Sequence, residues 1–227
     1  MKFSLSRRLA AEFLGTAFLV AAVVGSGIMG ERLAGGNVAI ALLANTMATG
    51  AALAVLIFTF RPISGAHLNP VVSMAEAFHG AISWSEAWLY TASQVFGGIA
   101  GTACANIMFA LAPFSISHHA RQGMPQWFSE FVATFGLLLV IRLCAQFASD
   151  WLPLAVAAYI VAAYWFTSST SFANPAVTIA RSLSDTFAGI RPVDVPGFLA
   201  AQVAGGFSAV AVADWLGFRS KLTKSGA

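Results

Sequence analysis

The chain has 227 residues, of which 58% are hydrophobic and 9% are charged, and its formal net charge is +3. A charged fraction far below the usual quarter excludes a soluble globular domain and describes a multi-span membrane protein. The basic residues form no run or stripe, so the charge calls for no nucleic-acid partner.

In chain order, apolar runs near 9–29, 37–60, 84–111, 126–148, 152–170 and 196–218 are each about long enough to cross a bilayer. Lys2, Arg7 and Arg8 ahead of the first run have the look of a secretory leader. Glu12 inside that run, and its length, predict a retained first span instead. Turn chemistry separates the runs at Gly35-Gly36, Arg61-Pro62, Pro113, Asp150-Trp151-Leu152-Pro153 and Arg191-Pro192. After the second run, His67-Leu68-Asn69-Pro70-Val71-Val72 opens a stretch of helix-compatible residues. After the fifth, Phe172-Ala173-Asn174-Pro175-Ala176-Val177 opens another. With roughly ten residues apiece at about 1.5 Å per residue, each covers about half of the hydrocarbon core. A half-length helix is tolerable there only where its end meets protein or water. Two of them, one per half of the chain, predict a pathway through the middle.

Counted through six spans, Lys2, Arg7, Arg8, Arg61, Arg142, Arg219, Lys221 and Lys224 fall on one side or at its border, and Arg32, Arg121, Arg181 and Arg191 on the other. The positive-inside rule then places both termini in the cytoplasm. Trp84, Trp88, Trp127, Trp151 and Trp215 cluster near span ends, as an aromatic belt would. Cys104 and Cys144 fall inside spans, which favours small buried thiols over a disulfide. His118-His119 lies between the halves with no further ligand pattern and reads as a solvated loop, not a metal site.

Three motifs recur in the same order. Glu12-Phe13-Leu14-Gly15-Thr16 is echoed by Glu130-Phe131-Val132-Ala133-Thr134, Asn69-Pro70 by Asn174-Pro175, and Gln94-Val95-Phe96-Gly97-Gly98 by Gln202-Val203-Ala204-Gly205-Gly206. Three matches in register indicate an internal duplication. Each copy holds three spans, an odd number, so the second copy is inverted and the functional elements meet at the midplane. The expected organisation is one domain built of inverted repeats, about 1–111 and 126–227, linked by 112–125.

Asn is a favoured N-cap whose carbonyl takes an orphan backbone N–H, leaving its NH₂ free to donate. Pro suits the first helical turn. Glu12 and Glu130 are expensive at membrane depth. They act either as a proton relay or as braces that accept N–H bonds from the irregular backbone entering each half-helix. Their symmetry, and the lack of a chain of acids between them, favour bracing. Gln94 and Gln202 satisfy backbone groups in the same way, and their neighbouring glycines allow close span packing. His67 is expected to donate to the pore backbone or to line the cytoplasmic mouth.

The paired Asn-Pro boxes, the Ser64-Gly65-Ala66-His67 lead-in and the glutamates of the first and fourth spans resemble the aquaporin and aquaglyceroporin (major intrinsic protein) family. The run from Thr170 through Ala176-Val177-Thr178-Ile179-Ala180-Arg181 to Phe187-Ala188-Gly189-Ile190 is similar to a bacterial branch associated with arsenic resistance. The resemblance implies an all-α membrane fold with six transmembrane helices and two re-entrant half-helices. It also implies a homotetramer with one pore per subunit, no enzymatic activity and no cofactor. Both half-helix N-termini would meet at the centre and make a region of positive potential that opposes cations and proton transfer.

Carried over from the box asparagines, the family's selectivity constriction falls on Thr49, Ala162, Ser171 and Val177. The arginine usual three residues after the second Asn is replaced by Val177, and the other matched positions hold no aromatic or histidine. The expected opening is wide, suited to glycerol-like polyols, trivalent arsenic and antimony hydroxides and methylated arsenicals, with water also able to pass. Arg181, one turn beyond Val177, is expected at the external vestibule, satisfying loop carbonyls. Val71, where the family usually has alanine, reads as a modest change of lining. The rival readings are an ion-coupled secondary transporter, a mainly water-conducting aquaporin, an intramembrane enzyme built on Ser168, Ser169 and Ser171, and a purely structural membrane protein. No serine–histidine or metal-ligand constellation accompanies those serines.

Overall fold

The computed structural model describes residues 3–217. Lys2, Arg219, Lys221 and Lys224 of the predicted charge asymmetry lie outside the described residues. The described residues form eight α-helices: α1 (Leu5–Leu33), α2 (Val38–Ser64), α3 (Pro70–Phe78), α4 (Trp84–Met108), α5 (Met124–Phe147), α6 (Leu152–Phe166), α7 (Pro175–Arg181) and α8 (Val195–Trp215). The two predicted half-spans are α3, with 9 residues, and α7, with 7.

Helix boundaries follow local chemistry. Asn37 caps α2 by accepting the Ala39 and Ile40 N–H groups, and Ser83 with Glu86 forms a reciprocal capping box on α4. One predicted break is displaced. Pro62 lies inside the last turn of α2, which runs on to Ser64 and stops at Gly65, φ 95°. A proline this near a helix end removes a single backbone bond, whereas the left-handed conformation at Gly65 ends the helix outright.

Five helical stretches are long and apolar enough to cross a membrane: Leu5–Leu33, Val38–Ser64, Met124–Phe147, Ser149–Phe166 and Pro192–Trp215. The sixth expected run is α4, equally long at 25 residues but less apolar. Its Gln94, Gly97, Gly98, Gly101 and Asn106 are buried against protein, so the polarity that weakens its membrane signature is absorbed inside the bundle.

Helix α1 packs along α4 and α2, α5 packs along α8 and α6, and α2 meets α6 between the halves. Two close crossings rest on matched glycines. A Cβ on Gly97 would lie 2.3 Å from the Phe13 carbonyl oxygen, and one on Gly205 would lie 2.3 Å from that of Phe131. The outer surface carries exposed Phe18, Val55, Phe58, Phe96 and Trp165, which suits lipid contact. Trp84, Trp88, Trp127, Trp151 and Trp215 are exposed near helix ends. Both cysteines are free thiols, but Cys104 is exposed on α4 rather than buried.

The two ends of the bundle are tied by different chemistry. At one, Arg61 Nη1 donates to the Ser149 carbonyl at 2.6 Å, His79 pairs with Asp214 at 3.0 Å, and Arg142 lies 3.7 Å from Glu76. At the other, the connection between halves is stitched to the loop after α7. Ser115 and Ser117 donate backbone N–H groups to the Leu183 and Ser182 carbonyls at 3.0 Å each, and His118 pairs with Asp185.

Candidate pore and its lining

The loops entering α3 and α7 repeat each other residue for residue, pairing Ser64 with Ser169, Gly65 with Thr170, Ala66 with Ser171, His67 with Phe172, Leu68 with Ala173 and Asn69 with Asn174. Ala66, Leu68, Thr170, Ser171 and Ala173 all have φ between 48° and 61°, the left-handed region that side chains disfavour. Such backbone costs about 1–3 kcal/mol per residue and persists only where the surroundings hold it.

The buried glutamates are what hold it. Glu12 accepts from Ser64 Oγ at 2.6 Å, His67 N at 3.0 Å, Leu68 N at 2.7 Å and Gln94 Nε2 at 2.8 Å. Glu130 accepts from Ser169 Oγ at 2.6 Å, Phe172 N at 2.9 Å, Ala173 N at 2.8 Å and Gln202 Nε2 at 2.6 Å. Gln94 and Gln202 bond side chains rather than the backbone groups expected of them: each also donates to a half-helix hydroxyl, Ser73 Oγ or Thr178 Oγ1, so each carboxylate, its glutamine and its loop form one network. A carboxylate with four donors is satisfied despite full burial.

The half-helices meet through their asparagines. Asn69 Oδ1 accepts from Val71 N at 3.0 Å, and Asn174 Oδ1 accepts from Ala176 N at 3.0 Å and Val177 N at 3.3 Å. Pro70 and Pro175 stand at the first helical positions. The amides do not both remain wholly free, as the sequence suggested. Asn69 Nδ2 donates to the Ala173 carbonyl at 2.7 Å, and Asn174 Nδ2 donates to the Leu68 carbonyl at 2.7 Å. Each asparagine thus caps its own helix and clasps the other half's loop, retaining one amide N–H.

A cavity of about 410 Å³ has Asn69 and Asn174 on its wall, with Arg61 and Glu76 contributed from one end of the bundle and Tyr164 and Arg181 from the other. Thr49, Ser171 and Val177 line it too, three of the four positions matched to the constriction. Ala162 does not; it is exposed on α6. The face of α6 turned to the cavity carries Val156, Ile160 and Tyr164, successive turns of one stripe, and Ala162 lies about 200° around the helix from Ile160. Tyr164 Oη donates to Thr49 Oγ1 at 3.4 Å, so an aromatic reaches the lining that the sequence comparison left without one.

His67 lines the cavity with Nδ1 3.1 Å from Ser73 Oγ. Val71 is buried away from the lumen against α8, where a Cβ on Gly206 would meet its Cγ1 at 2.2 Å; the lining valine of α3 is Val72. Arg181 does satisfy a loop carbonyl, donating from Nε to Ala188, and it also lines the cavity while its guanidinium stacks 3.3 Å from the centroid of Phe172. Sequence reasoning missed Tyr164 and left Arg181 outside. The spacing of Val156 and Ile160 signals the first, and the numbering match of Arg181 with Glu76 signals the second.

The sequence model described as "Major intrinsic protein" matches residues 1–150. The chain is 52% identical over 215 residues to the aquaglyceroporin AqpS of Rhizobium meliloti, covering 95% of this chain and 92% of that protein. It is 32% identical over 185 residues to aquaporin NIP1-3 of Oryza sativa subsp. japonica, covering 78% of this chain and 64% of that one. In fold it is similar to the X-ray structure of the aquaglyceroporin from Plasmodium falciparum, with a TM-score of 0.73 at 22% identity over 93% of this chain and 96% of that one. The aquaporin fold and the match along most of its length identify this chain as a member of the major intrinsic protein family.

Proposed function

We propose that the chain is a passive channel for small uncharged solutes larger than water: glycerol-like polyols and the neutral hydroxides of trivalent arsenic and antimony, with methylated arsenicals and water as further permeants. The observation that carries this reading is the reciprocal clasp of Asn69 and Asn174 on the wall of a cavity lined by residues from both ends of the bundle. Each amide keeps an N–H for a passing oxygen, and the two half-helices start where their dipoles repel cations. The full occupation of Glu12 and Glu130 by structural donors supports a channel over an ion-coupled transporter, since neither carboxylate is left to carry a coupling proton.

In this reading the chain is one domain of two inverted repeats. Thr49, Ser171 and Val177 belong to the constriction, and the protein assembles as a homotetramer in a bacterial inner membrane with both termini cytoplasmic. Similarity to the aquaglyceroporin AqpS supports the polyol class. The test is a flux panel of water, glycerol, urea, arsenite and methylated arsenicals in reconstituted vesicles. Uptake should run down each gradient and stop at equilibrium. Accumulation above the external concentration, or dependence on an ion gradient, would overturn the channel.

A further inference from the structure

Each half-helix presents two residues to the cavity one turn apart: Val72 and Glu76 on α3, Val177 and Arg181 on α7. Glu76 and Arg181 occupy the same position after their asparagines. Facing the cavity at this turn is therefore a property of both half-helices rather than of one side-chain rotamer. The charges are opposite, and the two side chains differ in how they are occupied. Glu76 lies 3.7 Å from Arg142.

Arg181 is 2% exposed and is fixed on two sides, by its Nε bond to the Ala188 carbonyl and by its stack on Phe172. Its two terminal nitrogens bond none of the described residues. Arg121 also lies over Phe172, at 4.9 Å, but spends its guanidinium on the carbonyls of Gly189, Ser169 and Phe187. Arg121 is the brace, and Arg181 is the guanidinium with donors to spare at the cavity. Ser171, also 2% exposed and on the same wall, has a buried hydroxyl with no partner among the described residues. Helical side chains lean toward the helix N-terminus. An arginine is long enough to reach back over a turn of about 5.4 Å, and the stack on Phe172 holds the Arg181 guanidinium beside the loop that carries Ser171, on the cavity wall shared with Val177.

We infer that Arg181 is the specificity-determining cation of the outer constriction. Its terminal N–H groups, with the Ser171 hydroxyl, donate to the oxygens of an uncharged hydroxyl-bearing solute, and its charge turns back small cations. This rests on the passive-channel reading above. The stack and the Nε bond fix the plane of the guanidinium, so the fork is presented without further ordering.

The test uses the full chain in vesicles, with glycerol, water and potassium as probes. R181M is expected to lower the glycerol-to-water permeability ratio by about tenfold, the loss of one charge-assisted contact, and to admit a potassium leak absent from the wild type. R181K keeps the charge and loses the fork; its ratio should fall by roughly threefold with no leak. S171A, compatible with the backbone because Ala66 holds the same conformation in the other half, should lower the ratio by about twofold. A merely structural role would lower both fluxes together and leave the ratio alone. If R181M fails to insert, R181K and S171A decide. Wild-type ratios in those two variants overturn the assignment. A wild type that passes no glycerol passively brings down the channel reading itself, and this inference with it.

Discussion

Tyr164 of α6 donates from its hydroxyl to Thr49 Oγ1 of α2 at 3.4 Å, joining the halves on the wall of the cavity. The pair separates two accounts of what limits solute size. Ala162, matched to the family's constriction by counting, is exposed on the far side of the same helix. Y164A should therefore raise the size limit and speed entry of solutes larger than glycerol, whereas A162F should leave flux within about twofold of the wild type, as an outward-facing substitution does. Stopped-flow vesicle shrinkage with a series of polyols would measure both. A strong block by A162F with no effect of Y164A would reverse the placement.

The buried glutamates give a second prediction. Glu12 and Glu130 each take four donors, two of them backbone N–H groups of a strained loop. Glutamine at either site offers one acceptor oxygen and adds donors that clash with those already there. E12Q and E130Q should each cost about 3–5 kcal/mol, as expected when a buried charge network is broken. The reading is thermal stability in detergent together with yield of folded protein. A proton relay would give the opposite pattern, a stable fold with altered coupling.

What the sequence revealed and what it hid divide along a physical line. Asn69, Asn174, Glu12, Glu130, Gln94 and Gln202 were legible because capping and buried-charge satisfaction are local demands, and each was stated twice in register. Tyr164 was hidden because a fixed count back from Asn174 passes through the left-handed loop at Thr170 and Ser171 and the end of α6, where a change of loop length rotates the helix face. Helix α6 is apolar nearly all round, so its periodicity gave little help. Arg181 was legible as a partner of loop carbonyls, but its place on the cavity wall was not, because that depends on the stack with Phe172. Val71 and Val72 were exchanged for the same kind of reason: adjacent helical residues point about 100° apart, and only packing against Gly206 shows which one faces away from the lumen.

The loop after α7 supplies a pH dependence. His118 donates its backbone N–H to Asp185 at 2.8 Å, and its ring lies 3.0 Å away; these bonds hold the carboxyl below its usual 3.8. Because the folded pKa is lowered, the contact stabilises fully above the unfolded pKa and is lost as pH falls through the folded value. D185N should melt below the wild type near neutral pH, and the gap should narrow as the pH falls below the usual carboxylate range and the carboxyl takes up its proton. Asp185 is partly exposed, so the gap is small. Equal melting temperatures across that range would remove Asp185 from the account.

The matched glycine crossings give the strongest structural prediction. A Cβ at Gly97 would approach the Phe13 carbonyl to 2.3 Å, and one at Gly205 that of Phe131 to the same distance, in both cases meeting backbone that cannot rotate away. Phe13 and Phe131 directly follow the bracing glutamates. Separating α4 from α1, or α8 from α5, therefore pulls Gln94 from Glu12 or Gln202 from Glu130, each now joined at 2.8 Å or less. G97V and G205V should each abolish assembly of the pore, while G35A, in a turn where a Cβ meets nothing within 4 Å, should cost only the strain of a left-handed alanine, about 1 kcal/mol. Membrane yield and glycerol flux distinguish the outcomes. A functional G97V or G205V channel would mean that the helices can part without opening the glutamate network.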